Sequence, residues 1–167
     1  TLGEIASGIA HDLNTPLGAI KSGAESILYT FERLFNDTIE FCSDEQIHFA
    51  WSRAANKQVE LFIGGMQQRR EAANLLNFLN EMYPSLSNEK QHEIAEGLVK
   101  ARISVEEPEL IDQIIESKNS THFINLIYHT SMIRNFINAI SISNERATKV
   151  IQGLRTFIKD HQHGTKG

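Results

Sequence analysis

The chain has 167 residues, 41% of them hydrophobic, and a formal net charge of −5. That length suffices for one domain with a substantial core or for a small core with an appended subdomain, and no apolar run approaches the roughly 18 residues of a membrane span. No basic cluster appears beyond Arg69-Arg70, which argues against nucleic acid, and the lone Cys42 excludes an internal disulfide and every multi-cysteine metal site.

The sequence opens on Thr1 with no signal-like start. The expectation is an excised cytoplasmic piece without direct membrane contact, whose parent can be anchored through segments outside these residues. None of the seven histidines pair at helical i, i+4 spacing and no His-Glu-x-x-His occurs, so no metal site is expected.

Residues 2 to 41 read as one helix. At about 100° per residue, Ile5, Ile9, Leu13, Leu17, Ile20, Ile27, Phe31 and Leu34 fall within roughly 120° of one another. His11 points almost directly away from them. Thr15, Gly18 and Ser22 share its face, so a histidine stands above small residues, an arrangement suited to a docking partner. Asp12 lies about a quarter turn round, where its carboxylate can take a proton from one imidazole nitrogen while the other attacks. Pro16 cannot donate to the Asp12 carbonyl and costs about 3 kcal/mol in a helix interior, which predicts a bend one turn beyond the histidine.

Ser43-Asp44-Glu45-Gln46 has the form of a capping box that starts a new helix. Amphipathic runs follow at about 44 to 62, 66 to 82, 88 to 102 and 108 to 117, punctuated by Gly64-Gly65, Tyr83-Pro84-Ser85 and Glu107-Pro108. Gly64-Gly65 lacks the glycine spacing and the Lys-Ser/Thr of a phosphate loop and reads as a turn. Phe49, Trp51, Val59, Leu61 and Phe62, with Leu75, Leu76, Phe78, Leu79 and Met82, offer a small helical core. Residues 42–120 are therefore expected to form an inserted helical subdomain rather than a loop.

A second long helix is expected over 121–161, followed by a disordered tail, 162–167, in which His161 and His163 are solvated. On it Met132, Ile133, Phe136, Ile140, Ala147, Val150, Ile151, Leu154, Phe157 and Ile158 lie within about 120°, interrupted by Ser143. His129 falls on the apolar side and is expected to be a core histidine with a hydrogen-bond partner. Two helices with one stripe each cannot complete a core, whereas two antiparallel hairpins related by a twofold axis can. The predicted fold is all-α: a long antiparallel helical hairpin forming a dimeric four-helix bundle, with the inserted subdomain between its arms. In that geometry Thr148, Gln152 and Arg155 come near His11 and, with Gly18 and Ser22, border a partner dock.

His11-Asp12-Leu13-Asn14-Thr15-Pro16-Leu17, with the lead-in Leu2-Gly3-Glu4-Ile5-Ala6-Ser7-Gly8-Ile9-Ala10, resembles the H-box of the dimerisation and phosphoacceptor domain of bacterial sensor histidine kinases. Residues 145–157 resemble, less specifically, the second helix of that domain. The resemblance implies that His11 accepts phosphate from ATP, that Asp12 is the assisting base, and that the phosphate passes to an aspartate on a response regulator. It further implies that Thr15 positions water for dephosphorylating the regulator. The family's ATP-binding domain, with its asparagine-rich box and Asp-x-Gly-x-Gly segments, is not among these residues. ATP and Mg are thus expected on a separate catalytic domain of the same or the partner chain, and this piece alone should be inactive. The long segment between the helices departs from the family's short turn.

Two other functions compete. A stand-alone histidine phosphotransfer protein also uses an exposed histidine on a helical bundle, although the proline after His11 is a kinase feature and the Lys-Gly-Ser type continuation is absent. A helical interaction module, with His11 idle, is the third.

Overall fold

The computed structural model describes residues 1–60 and 62–164, with side chains for 1, 3–60 and 62–161. Among the described residues there are six α-helices, one short 3-10 turn and no strand. In chain order these are α1 (Leu2–Asp37), the 3-10 turn (Ile39–Phe41), α2 (Asp44–Asn56), α3 (Gly65–Met82), α4 (Asn88–Lys100), α5 (Pro108–Glu116) and α6 (Ser120–Gly164).

Two helix ends differ from expectation. The first helix stops at Asp37, because the chain tightens into i→i+3 bonding: Phe41 and Cys42 N–H donate to the Thr38 and Ile39 carbonyls at 3.1 and 3.2 Å. At the other end α6 runs on through Gly164, so the first residues of the expected tail are helical. Residues 165–167, Leu61 and the His163 side chain lie outside the described residues.

The chain divides into two compact units. The first joins Thr1–Leu28 to Phe136–Gly167, and the second is Tyr29–Asn135.

In the first unit Ile9, Leu13, Pro16, Ile20, Gly23 and Ile27 of α1 are buried or half-buried at alternating spacings of four and three, with Ser26 also half-buried beside Ile27. On α6 Phe136, Ile140, Ser143, Ala147, Val150 and Leu154 follow the same alternation, with Asn138 also half-buried. Both sets are the core seam of a left-handed helix pair. A Cβ on Gly23 would stand 2.8 Å from Ile140 Cγ1 and 3.8 Å from the Phe136 carbonyl oxygen. The end of the first segment therefore meets the start of the second, and the two run antiparallel. Of the stripe expected on α1, Ile9, Leu13, Ile20 and Ile27 lie in this seam, whereas Ile5 and Leu17 are exposed beside it.

Gly23 and Gly8 are expected to respond with opposite sign to alanine. At Gly23 the helix-propensity gain of about 1 kcal/mol is outweighed by displacing Ile140, an overpacking cost of about 1–3 kcal/mol. A Cβ on Gly8 meets nothing within 4 Å. Thermal unfolding followed by circular dichroism should place Gly23→Ala below the parent chain and Gly8→Ala above it; the reverse order would dismiss the close approach.

In the second unit the helix starts follow the sequence signals. Ser43 and Gln46 form a reciprocal capping box on α2, the Ser87 hydroxyl accepts from Lys90 N–H at 3.2 Å on α4, and Pro108 occupies the first turn of α5. The core is built from Leu75 and Leu79 of α3, Ile94 and Leu98 of α4, Ile111 and Ile114 of α5, and Leu126 and Ile127 of α6, all almost without exposure. Trp51, Phe62 and Met82, expected in that core, are exposed instead. The aliphatic faces of α4, α5 and α6 take their place.

Arg102 ends α4 with φ 58°, a left-handed position that glycine usually fills. There Ile103 N–H reaches back to the Leu98 carbonyl at 2.9 Å, and the Arg102 guanidinium pairs with Glu71. His129 departs from expectation. Its Nδ1 is buried without a hydrogen-bond partner among the described residues, and burial, then the Lys100 and Arg33 charges, push the imidazole down to about 4. It is a neutral packing residue at neutral pH.

Candidate functional site

α1 carries the residues that the sequence singles out, and its register decides their exposure. With Ile9, Leu13 and Pro16 turned inward, His11 and Asp12 face solvent, their side chains 83% and 66% exposed. His11 Nδ1 lies 3.3 Å from Asp12 Oδ1; a carboxylate accepts from Nδ1–H, and in the neutral imidazole that makes this bond the Nε2 lone pair faces solvent. One turn on, the Thr15 hydroxyl donates to the His11 carbonyl at 3.4 Å. The structure thus brings His11, Asp12 and Thr15 together on one exposed turn.

Pro16 lies inside α1 and is buried, and the helix is continuous through it. Because its ring nitrogen bears no hydrogen, the Asp12 carbonyl lacks its usual intrahelical donor. Gly18 and Ser22 are exposed on the following turns.

Thr148, Gln152 and Arg155 are exposed on α6. Thr148 donates back to the Asn144 carbonyl at 2.9 Å, and no hydrogen bond or ion pair among the described residues joins any of the three to His11. In an antiparallel pair, positions ahead of the seam on one helix and ahead of it on the other fall on the same side. His11, Asp12 and Thr15 lie behind or opposite the α1 seam, and on α6 the corresponding side carries Arg146, Lys149 and Gly153, all exposed. Sequence reading passed over these three. The signal that finds them is the register of burial, which fixes the rotation of each helix about its axis.

Around this turn the surface is low. Cβ atoms on Gly8, Gly18 and Gly153 would meet nothing within 4 Å. Each glycine costs a helix interior about 1 kcal/mol relative to alanine, and packing within the chain requires none of them.

Among the described residues no group of three or more His, Cys, Asp or Glu could hold a metal ion, and no helix is long and apolar enough to cross a membrane. Comparison with protein families, curated proteins and solved structures found no match for this chain.

Proposed function

We propose that the chain is the dimerisation and phosphoacceptor region of a two-component sensor histidine kinase, with His11 as phosphoacceptor. The observation that carries this reading is the pairing of His11 Nδ1 with Asp12 at 3.3 Å on the solvent face of α1, which leaves Nε2 of the neutral ring free to attack. In the reaction Nε2 forms a bond to the γ-phosphorus of ATP, the bond to the bridging oxygen breaks, ADP leaves, and the Nδ1 proton passes to Asp12. ATP and Mg are supplied by a separate ATP-binding domain of the same or the partner chain. The phosphoryl group then moves to an aspartate on a response regulator, which approaches the low surface formed by Gly8, Gly18 and Gly153. The exposed apolar strips of α1 and α6 support a homodimeric four-helix bundle, with the helical segment 42–120 as an insertion between its arms.

The test is to incubate the chain with a sensor-kinase ATP-binding domain and γ-labelled ATP. Acid-labile, alkali-stable label on the chain is expected; its absence with several such domains rejects the reading. Within it, Asp12→Asn is expected to slow labelling on the order of 10²-fold by removing the base, and an unchanged rate would leave Asp12 as ordinary surface. Thr15→Ala should spare labelling and slow dephosphorylation of the regulator, since its hydroxyl sits one turn from His11 and can orient water. Equal loss of both activities would point instead to damage of the dock.

A further inference from the structure

The second unit holds a cleft between α2 and α5. One cavity in it, about 460 Å³, is lined by Arg53, Asn56 and Lys57 near the end of α2 and by Glu106, Glu109 and Leu110 around the start of α5. A second, about 410 Å³, lies between Glu45 and Gln46 at the start of α2 and Glu116 and Ser117 at the end of α5. Phe49 and Gln113 wall both, so the cavities follow one another along two helices that run in opposite senses. Their floors are apolar. Leu110 and Phe123, 7% and 2% exposed, back one cavity each, and the half-buried Phe49 ring, edge-on to Phe123 at 6.1 Å, borders the two.

The charges around this cleft are unbalanced. Two cations, Arg53 and Lys57, and five acids line it. Glu107 takes both cations, Arg53 Nη2 at 3.1 Å and Lys57 Nζ at 2.9 Å. Glu45, Glu106, Glu109 and Glu116 are left over, all exposed, and among the described residues none of their carboxylates has a hydrogen bond or an ion pair. Four unpaired carboxylates on the rim attract a cationic partner and turn away an anionic one.

A small cation fits this shape poorly, since both cavities open widely to solvent whereas small-molecule sites enclose about 70–90% of their ligand. The spacing matches a helix instead. Gln46 borders one cavity and Arg53 the other, seven residues on, which is about 10 Å along the axis and two helical turns. Side chains seven apart on an incoming helix reach both cavities, and the positions flanking them face the carboxylates. We infer that the cleft between α2 and α5 binds a basic amphipathic helix of a partner protein, which places apolar side chains in the two cavities and lysines or arginines against Glu45, Glu106, Glu109 and Glu116. The inference concerns the second unit alone and stands apart from the role proposed for His11.

The probe is a fluorescent helical peptide of about 18 leucines and lysines, long enough to hold a helix, with its leucines on one face. Fluorescence anisotropy on the full chain should show saturable binding of one peptide per chain that weakens as salt rises. The variant E106Q/E109Q/E116Q should bind about tenfold more weakly. The control E81Q/E89Q/E96Q removes the same number of charges from exposed positions outside the cleft and should bind as the parent does. On the parent chain itself, backbone amide shifts on titration should gather at Ser52, Asn56 and Gln113. Shifts that gather elsewhere, equal weakening of the two variants, or no saturable binding overturns the inference. A scrambled peptide of the same composition that binds equally well removes the helix. Spermine that displaces the peptide at equal concentration makes the cleft a polyamine site and overturns the choice of a peptide.

Discussion

Replacing His11 with glutamine is expected to abolish phosphate labelling completely while leaving helix content, thermal midpoint and oligomeric state unchanged. The imidazole is 83% exposed and, among the described residues, hydrogen-bonds only the neighbouring Asp12, so the described fold draws nothing from it. Surface substitutions of this kind usually fall within about 0.5 kcal/mol. Glutamine keeps a polar group of similar reach, but an amide nitrogen has no available lone pair and cannot attack phosphorus. Phosphate transfer from the ATP-binding domain, read as acid-labile label, therefore separates chemistry from structure. Label that survived the substitution would place the acceptor elsewhere, and a lost midpoint would show that His11 serves the fold.

Removal of Glu107 is expected to be the most damaging single change in the second unit. Arg53 of α2 has a side chain only 6% exposed, and its Nε and Nη2 donate to the Glu107 carboxylate at 3.3, 3.1 and 3.2 Å. Lys57 Nζ adds a contact at 2.9 Å, and Arg53 Nη2 also reaches the Arg102 carbonyl at 3.4 Å. Among the described residues Arg53 Nη1 already lacks a partner, and losing the carboxylate leaves Nε without one as well. An uncompensated buried charge costs about 3–5 kcal/mol, whereas replacing both partners with apolar residues of similar volume is close to neutral. Urea unfolding should show Glu107→Ala losing that amount and Arg53→Met with Glu107→Leu recovering most of it. A single variant within about 1 kcal/mol of the parent would reduce the pair to surface decoration.

The same pair predicts a pH dependence. Burial raises the Glu107 carboxyl, but Lys57 and Arg53 together outweigh it and hold the group below its ordinary 4.5. A carboxyl depressed in the folded state binds fewer protons there than in the unfolded chain, so its contribution is present above the ordinary value and lost as pH falls through the lowered one. Acid titration of stability should therefore show a loss below about pH 4.5 that Glu107→Gln lacks.

Local signals were legible in the sequence wherever a helix boundary depends on a few neighbouring residues. Ser43 with Gln46, Gly64-Gly65 at α3 and Glu107-Pro108 at α5 mark helix starts that hold in the structure. The all-helical class and the exposure of His11, Asp12 and Thr15 follow from periodicity alone, since the angle between residues of one helix is set by its geometry. The early stop of α1 at Asp37 did not follow, because the apolar pattern continues through the 3-10 turn.

Which apolar residues meet was decided by the tertiary structure. One broad stripe on α1 became a buried seam with Ile5 and Leu17 exposed beside it, a division that depends on how closely Gly23 lets Ile140 approach. Trp51, Phe62 and Met82 read as core by size, yet the close-packed aliphatic faces of α4, α5 and α6 filled that interior. Arg53, a charged residue in an unremarkable helix, proved buried because Glu107, far along the chain, supplies its counter-charge. Sequence periodicity records how wide an apolar face is and which residues share it; it carries no record of the partner, because packing and charge compensation belong to pairs of elements that only the folded chain brings together.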